Sequence, residues 1–279
     1  MQAHDDLDFL ISYTKDLFTT LNENFNQCKV GINVSSVHDS RVSLRRLMAL
    51  VDVLAYLHPD SKEVLAVDKK ALKKLQKRFS ATRDLHVSQK YITDNISSKC
   101  NTKEYLDFLT GEASKAEKKL ANKLNGIKFS SYLKIEDSII RHASRKPTAV
   151  SLPEILYSSL DGAFLITIEK IEKLDSSNLA TFHSVRISLK GFRYILEILY
   201  LIDKNYKESL DDLKQFQDCL GEIQDLTVLK RSLRNCNPDL KKIFEYDCMI
   251  DFIDDRLSLL ADRFYIQRYD VLKLWEIKI

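Results

Sequence analysis

Residues 38–46 read His38-Asp39-Ser40-Arg41-Val42-Ser43-Leu44-Arg45-Arg46, and their pattern returns as His183-Ser184-Val185-Arg186-Ile187-Ser188-Leu189-Lys190-Gly191. A second block, Leu72 to Val87 (LKKLQKRFSATRDLHV), returns as Leu213 to Val228 (LKQFQDCLGEIQDLTV), pairing Lys73 with Lys214 and Asp84 with Asp225. Both blocks keep their order, so the chain carries two copies of one unit. The unit is helical. Leu44, Leu47, Val51 and Leu54 recur at spacings of three and four, as do Leu189, Phe192, Leu196 and Leu199, which is the spacing of one buried helix face.

Counting about 100° per residue from each histidine places the polar side chains. Arg41/Arg186, Arg45/Lys190 and Asp52/Glu197 fall between about 300° and 340°, while the apolar pairs fall between about 160° and 240°. Arg193 lies near the basic stripe, at about 280°, and Arg46 lies off it, at about 80°. Each copy therefore sets a basic stripe beside a core stripe. If the copies pack about a pseudo-two-fold axis, the stripes face each other across a groove. From His38 to Arg45 the stripe runs about 10 Å at 1.5 Å per residue, which suits an extended polyanion. Arginine fits that task because its planar fork binds phosphate oxygens two at a time.

Composition agrees. The chain of 279 residues holds only 6 Gly and 4 Pro, where an average chain would hold about thirty. That disfavours sandwiches, barrels and propellers, which need frequent tight turns. No GxGxxG and no GxxxxGK[ST] occurs, so glycine-fingerprint nucleotide sites are excluded. No apolar run reaches the roughly 18 residues of a membrane span, and the first ten residues are acidic, unlike a signal peptide. Cys28, Cys100, Cys219, Cys236 and Cys248 are odd in number and form no CxxC pair. That predicts free thiols in a reducing cytoplasm. The net charge of +3 conceals an asymmetry: residues 1–146 hold 25 Lys+Arg against 18 Asp+Glu, and residues 147–279 hold 18 against 22. A basic patch in the first half or two ordinary solvated surfaces would each account for it.

The pattern predicts helices over about 4–29, 35–57, 62–98, 101–125, 129–145, 152–175, 178–203, 207–236 and 238–266, with possible breaks near Ser80 and Gly221. KPTAVSLPE, with Pro147 and Pro153 at its flanks, is the linker between a unit at 1–146 and one at 147–279. Ser151 is its helix cap, and Pro153 falls in the following first turn.

On these residues the chain resembles the CHAD domain, the conserved histidine α-helical domain. The carriers are H-x-x-R-V-x-x-R-R (His38 to Arg46), RDLHV (Arg83 to Val87), H-x-x-R-I-x-x-K-x-x-R-Y-x-x-E (His183 to Glu197) and LGEIQDLTVL (Leu220 to Leu229). The resemblance implies an all-α protein of two antiparallel four-helix bundles about a pseudo-two-fold axis, with inorganic polyphosphate bound in a basic central channel. It assigns the anion ligands to His38, Arg41, Arg45, Arg46, His183, Arg186, Lys190 and Arg193, joined by Lys73, Arg83 and Lys214. Asp84 and Asp225, and at the stripe's end Asp52 and Glu197, are expected to orient arginines or cap helix turns. Ordinary salt bridges are the alternative for these acids, and a bracing role is the alternative for Arg46.

Three departures from the pattern stand out. Gly191 is the repeat partner of Arg46, and Met48 stands opposite Arg193. Ser80 replaces a glycine that Gly221 keeps. Gln224 stands where Arg83 does. His4, His58, His86 and His142 have no repeat partners. No HxxxH, HExxH or Cys/His cluster with metal spacing occurs, so neither metal nor cofactor is expected.

Catalysis is not expected either. CHAD domains are found beside triphosphate-hydrolysing tunnel domains that carry ExExK, and Glu169-Lys170-Ile171-Glu172-Lys173 has the wrong spacing. Two further readings stay open. One is a nucleic-acid binder using Lys69, Lys70, Lys73, Lys74, Lys77 and Arg78, which the pI of about 8.4 and the acidic second half disfavour. The other is a scaffold on polyphosphate-containing granules. The oligomeric state is open, as is the tail from Gln267, whose Tyr269, Leu272, Leu274 and Trp275 could cap a bundle or meet a second subunit.

Overall fold

Local chemistry sets most helix boundaries. The computed structural model describes residues 2–127, 130–146 and 151–277. Its helices are α1 (Gln2–Val30), α2 (Val34–Leu57), α3 (Lys62–Arg78), α4 (Ser80–Tyr91), α5 (Lys103–Asn125), α6 (Ser130–Ala143), α7 (Leu152–Glu172), α8 (Leu179–Ile202), α9 (Lys207–Arg234), α10 (Pro238–Lys241) and α11 (Tyr246–Gln267). Among the described residues there is no strand, and the protein is all-α. The Asn33 side chain accepts from Ser36 N at 2.8 Å and starts α2. Ser151 and Glu154 form the reciprocal capping box of α7, with Pro153 in the first turn as expected. Pro147 and the rest of the linker to Val150 lie outside the described residues.

The expected apolar stripes are the core. Leu44, Leu47, Val51 and Leu54 on α2, and Leu189, Phe192, Leu196 and Leu199 on α8, are all at most 1% exposed. At roughly 1.5–3 kcal/mol per buried large apolar side chain, these eight alone draw α2 and α8 to the centre of the molecule. Packing in the two halves corresponds: α1 lies on α2 as α7 lies on α8, and α2 on α3 as α8 on α9. Contacts of α2 with α8 and of α4 with α9 join the halves.

The helix expected at 62–98 breaks beside Ser80, as considered, where fully buried Phe79 turns the chain between α3 and α4. Other boundaries differ from expectation. The break considered near Gly221 does not occur; α9 runs through it unbroken. The helix expected at 238–266 is divided between α10 and α11, because Phe244 leaves the helical path to pack on Tyr105.

The tail from Gln267 forms a 3₁₀ segment, Arg268–Leu274, and caps the second half. Trp275 stacks on Tyr157, meets Phe192 edge-on and packs against Tyr206, and its indole N–H donates to Asp161 Oδ1 at 2.6 Å. Lys278 and Ile279 lie outside the described residues.

The thiols also need correction. Cys100, before α5, is disulfide-bonded to Cys248 in the first turn of α11; Cys28, Cys219 and Cys236 are free. A 148-residue separation leaves no local spacing by which sequence could show the pair. Among the described residues no helix is long and apolar enough to cross a membrane.

Candidate functional site

The repeat-equivalent cations meet where α2, α4, α8 and α9 come together. Arg41 is anchored on the α3–α4 junction: its Nη1 donates to Gln76 O at 3.2 Å and to Ser80 Oγ at 2.8 Å. Ser80, the departure from glycine, thus holds an arginine that the chain's other copy leaves to Gly221. Arg45 Nε donates to Arg41 O at 3.2 Å, and its guanidinium lies 5.9 Å from the Tyr194 ring centre on α8. Buried Arg186 Nε has no hydrogen-bond partner in the protein, an open donor of the kind that calls for a ligand or water.

Electrostatics shows how tightly these groups are gathered. Burial, reinforced by Arg45, pulls Arg41 down to about 10, with Arg186 from the other copy adding to the repulsion. Burial lowers Arg83, although Asp225 of the other copy opposes it. Arg186 is lowered by burial and by Arg45 against the pull of Asp225. Lys190 is driven down to about 6, first by burial and then by Arg186 and Arg45. Asp84 and Asp225 are held above the usual carboxylate range, because burial outweighs the cations around them. Asp84 is nonetheless exposed to solvent. Exposed His38 sits at the edge, lowered by partial burial and by Arg83.

Arg41, Arg45, Arg83, Arg186 and Lys190 therefore form one cluster, partly offset by Asp84 and Asp225. A bound anion would relieve the mutual repulsion in such a cluster and offer Arg186 Nε an acceptor.

The other expected site residues are held in ion pairs or lie exposed. Glu197 is clamped between Arg46 Nε and Arg193 Nε, both at 2.8 Å, and Arg193 Nη1 donates to Gln217 Oε1 at 2.7 Å. Gln217 Nε2 completes the network on Leu189 O. Burial disfavours the Arg46 cation, but the bond to Glu197 outweighs it and holds Arg46 above its ordinary value. Asp52 accepts from Lys69 at 2.6 Å, near the middle of α3. His183, Lys73 and Lys214 are exposed.

Sequence reading missed Tyr194, Ser80 as a donor's partner, and the Gln76/Gln217 pair. Tyr194 was within reach, since the same 100° count places it at about 20°, beside the stripe. Among the described residues one potential metal-ligand group, Cys100, Glu245 and Cys248, comes together. Its two sulfurs are bonded to each other.

The family model for the CHAD domain matches residues 15–234, which contain every residue of the cluster. The structure is similar to the crystal structure of the CHAD domain from the plant Ricinus communis, with a TM-score of 0.69 and 16% identity over 96% of this chain and 90% of that one. It is also similar to PptA from Streptomyces chartreusis, with a TM-score of 0.58 and 14% identity over 97% and 99% of the two chains. At these identities the likeness speaks for the fold alone. No curated protein matches the chain. With most of its length matched by the family model, the chain belongs to the CHAD domain family.

Proposed function

We propose that the protein binds inorganic polyphosphate, without transforming it, in the cationic cleft formed by α2, α4, α8 and α9. The observation that carries this reading is the convergence of Arg41, Arg45 and Arg83 from one copy with Arg186 and Lys190 from the other. A single phosphate would satisfy part of such a row; a linear polyanion reaches all of it. Arg46 and Arg193, committed to Glu197, serve in this reading as a brace between α2 and α8. The matching contacts of α2 with α8 and α4 with α9 support two copies facing each other about a pseudo-two-fold axis. Asp84 and Asp225 hold the arginines apart and in place, which keeps the cleft open to an anion.

Calorimetric titration with polyphosphate, DNA and heparin at matched charge tests the reading. Polyphosphate is expected to bind tightest, and more weakly as salt rises, because ion release drives polyanion binding. Equal affinity for all three polymers would reduce the cleft to a generic basic surface. Arg41→Glu with Arg186→Glu is expected to abolish binding while the far-UV circular dichroism stays helical. Full affinity in that variant would refute the site.

A further inference from the structure

Outside the cluster the two copies differ most on the helices that follow the basic stripes. On α3 the chain carries Lys69, Lys70, Lys73, Lys74 and Lys77, and the repeat puts Leu210, Asp211, Lys214, Gln215 and Asp218 at the matching positions of α9. One surface is all cations. The other carries two carboxylates and one lysine.

The α3 lysines also lead away from the cluster. Arg41 meets Gln76 and Ser80, while Asp52 meets Lys69, so α2 and α3 run antiparallel and Lys73 comes level with Arg45. Around α3, Lys69, Lys73, Lys77, Lys70 and Lys74 spread over about 140°, starting from the side that touches α2. Lys70, Lys73, Lys74 and Lys77 are exposed. Buried Asp68 points the other way, accepting from Ser138 on α6 at 2.7 Å. From Lys70 to Lys77 the row covers about 10 Å.

Resting on the polyphosphate reading above, we infer that a polyphosphate chain longer than the cluster leaves the cleft along the α3 lysines and not along α9. The cluster grips one segment of the polymer, and α3 holds the overhang. On the opposite side Asp218 repels it, and Asp211 holds Lys207 in an ion pair. Binding then depends on polymer length, and the protein has a directional footprint despite its internal repeat.

The test compares tripolyphosphate with long-chain polyphosphate on four proteins: wild type, K70Q/K74Q/K77Q, K204Q/K207Q at the start of α9, and R41E/R186E. The α3 variant is expected to lose about tenfold or more in long-chain affinity at low salt, with tripolyphosphate binding unchanged within about twofold. Its slope of log affinity against log salt should fall by about 2, at about 0.7 per lost phosphate contact. The α9 variant should bind both ligands within about twofold of wild type. Equal losses for both ligands in the α3 variant, or an α9 loss as large as the α3 loss, would overturn the route while leaving the cluster standing. Full affinity in R41E/R186E would instead remove the cluster, and the route with it.

Discussion

Lys190→Met should make the free protein more stable and the polyphosphate-binding protein inert. In the folded chain Lys190 is pulled from 10.5 to about 6 by burial and by Arg186 and Arg45. It is therefore neutral in the folded state above about pH 6, while the unfolded chain keeps it charged up to about pH 10.5. Between those values unfolding takes up a proton, and stability rises with pH. At about 1.36 kcal/mol per pH unit, neutralising Lys190 costs the fold up to about 5 kcal/mol at pH 7 and nothing at its unfolded value. Solvent in the cleft screens part of this, so a gain of about 1–3 kcal/mol is expected for methionine, which keeps the length of the stem without the charge. Urea unfolding at pH 7, 8.5 and 10 measures it. The gain must shrink as pH rises, because the unfolded lysine also approaches neutrality. A destabilised Lys190→Met protein, or a gain independent of pH, would refute the account of the cluster as a set of cations crowded against their own interest.

The remaining predictions follow from the same geometry. Polyphosphate should bind more tightly at pH 6 than at pH 8, since binding returns protons to Lys190 and His38, both lowered in the free protein; titration in buffers of different ionisation enthalpy would show the proton uptake, and its absence would count against both groups. Ser80→Ala should weaken binding by about 1 kcal/mol by releasing Arg41 from its hydroxyl partner, with the circular dichroism unchanged. Cys100→Ser should lower stability by about 2–4 kcal/mol under oxidising conditions, matching wild type treated with a dithiol, as read by denaturant unfolding. Glu197→Gln should cost about 2 kcal/mol, because it takes the carboxylate from part-exposed Arg46 and leaves Arg193 with Gln217 alone, without weakening polyphosphate binding.

How much of this was legible in the sequence depends on how local each determinant is. The starts of α2, α7 and α8 could be read to within a residue, because Asn33, Ser151 and Asn178 cap within one turn of themselves. The stripes were equally legible, since 3.6-residue periodicity places Arg41, Arg45, Arg186 and Lys190 whatever they pack against. The turn at Phe244 was not, since it is set by a ring packing on Tyr105 far along the chain. Nor was Cys100–Cys248, joined across 148 residues. The angular count flagged Arg46 as lying off the stripe, but only the folded chain shows that it reaches Glu197 on another helix.

Two faults in the repeat have a common explanation in that carboxylate. Three pairs that keep their character, Arg41/Arg186, Arg45/Lys190 and Asp84/Asp225, interact across the two copies. Two positions that differ are engaged in fixed pairs. Arg46, opposite Gly191, and Arg193, opposite Met48, both close on Glu197. Asp52, the repeat partner of Glu197, goes to Lys69, whose own partner is Leu210. One copy's acid thus joins α2 to α8, and the other's joins α2 to α3. A repulsive cluster at the junction of two copies needs such a clamp, because burial and like charge both push the halves apart there. Glu197→Gln and Lys190→Met should accordingly move in opposite directions, the first losing stability and keeping affinity, the second gaining stability and losing affinity. If Glu197→Gln instead lost affinity at unchanged stability, Arg46 and Arg193 would be ligands aimed by Glu197, and the division between clamp and cleft would fail.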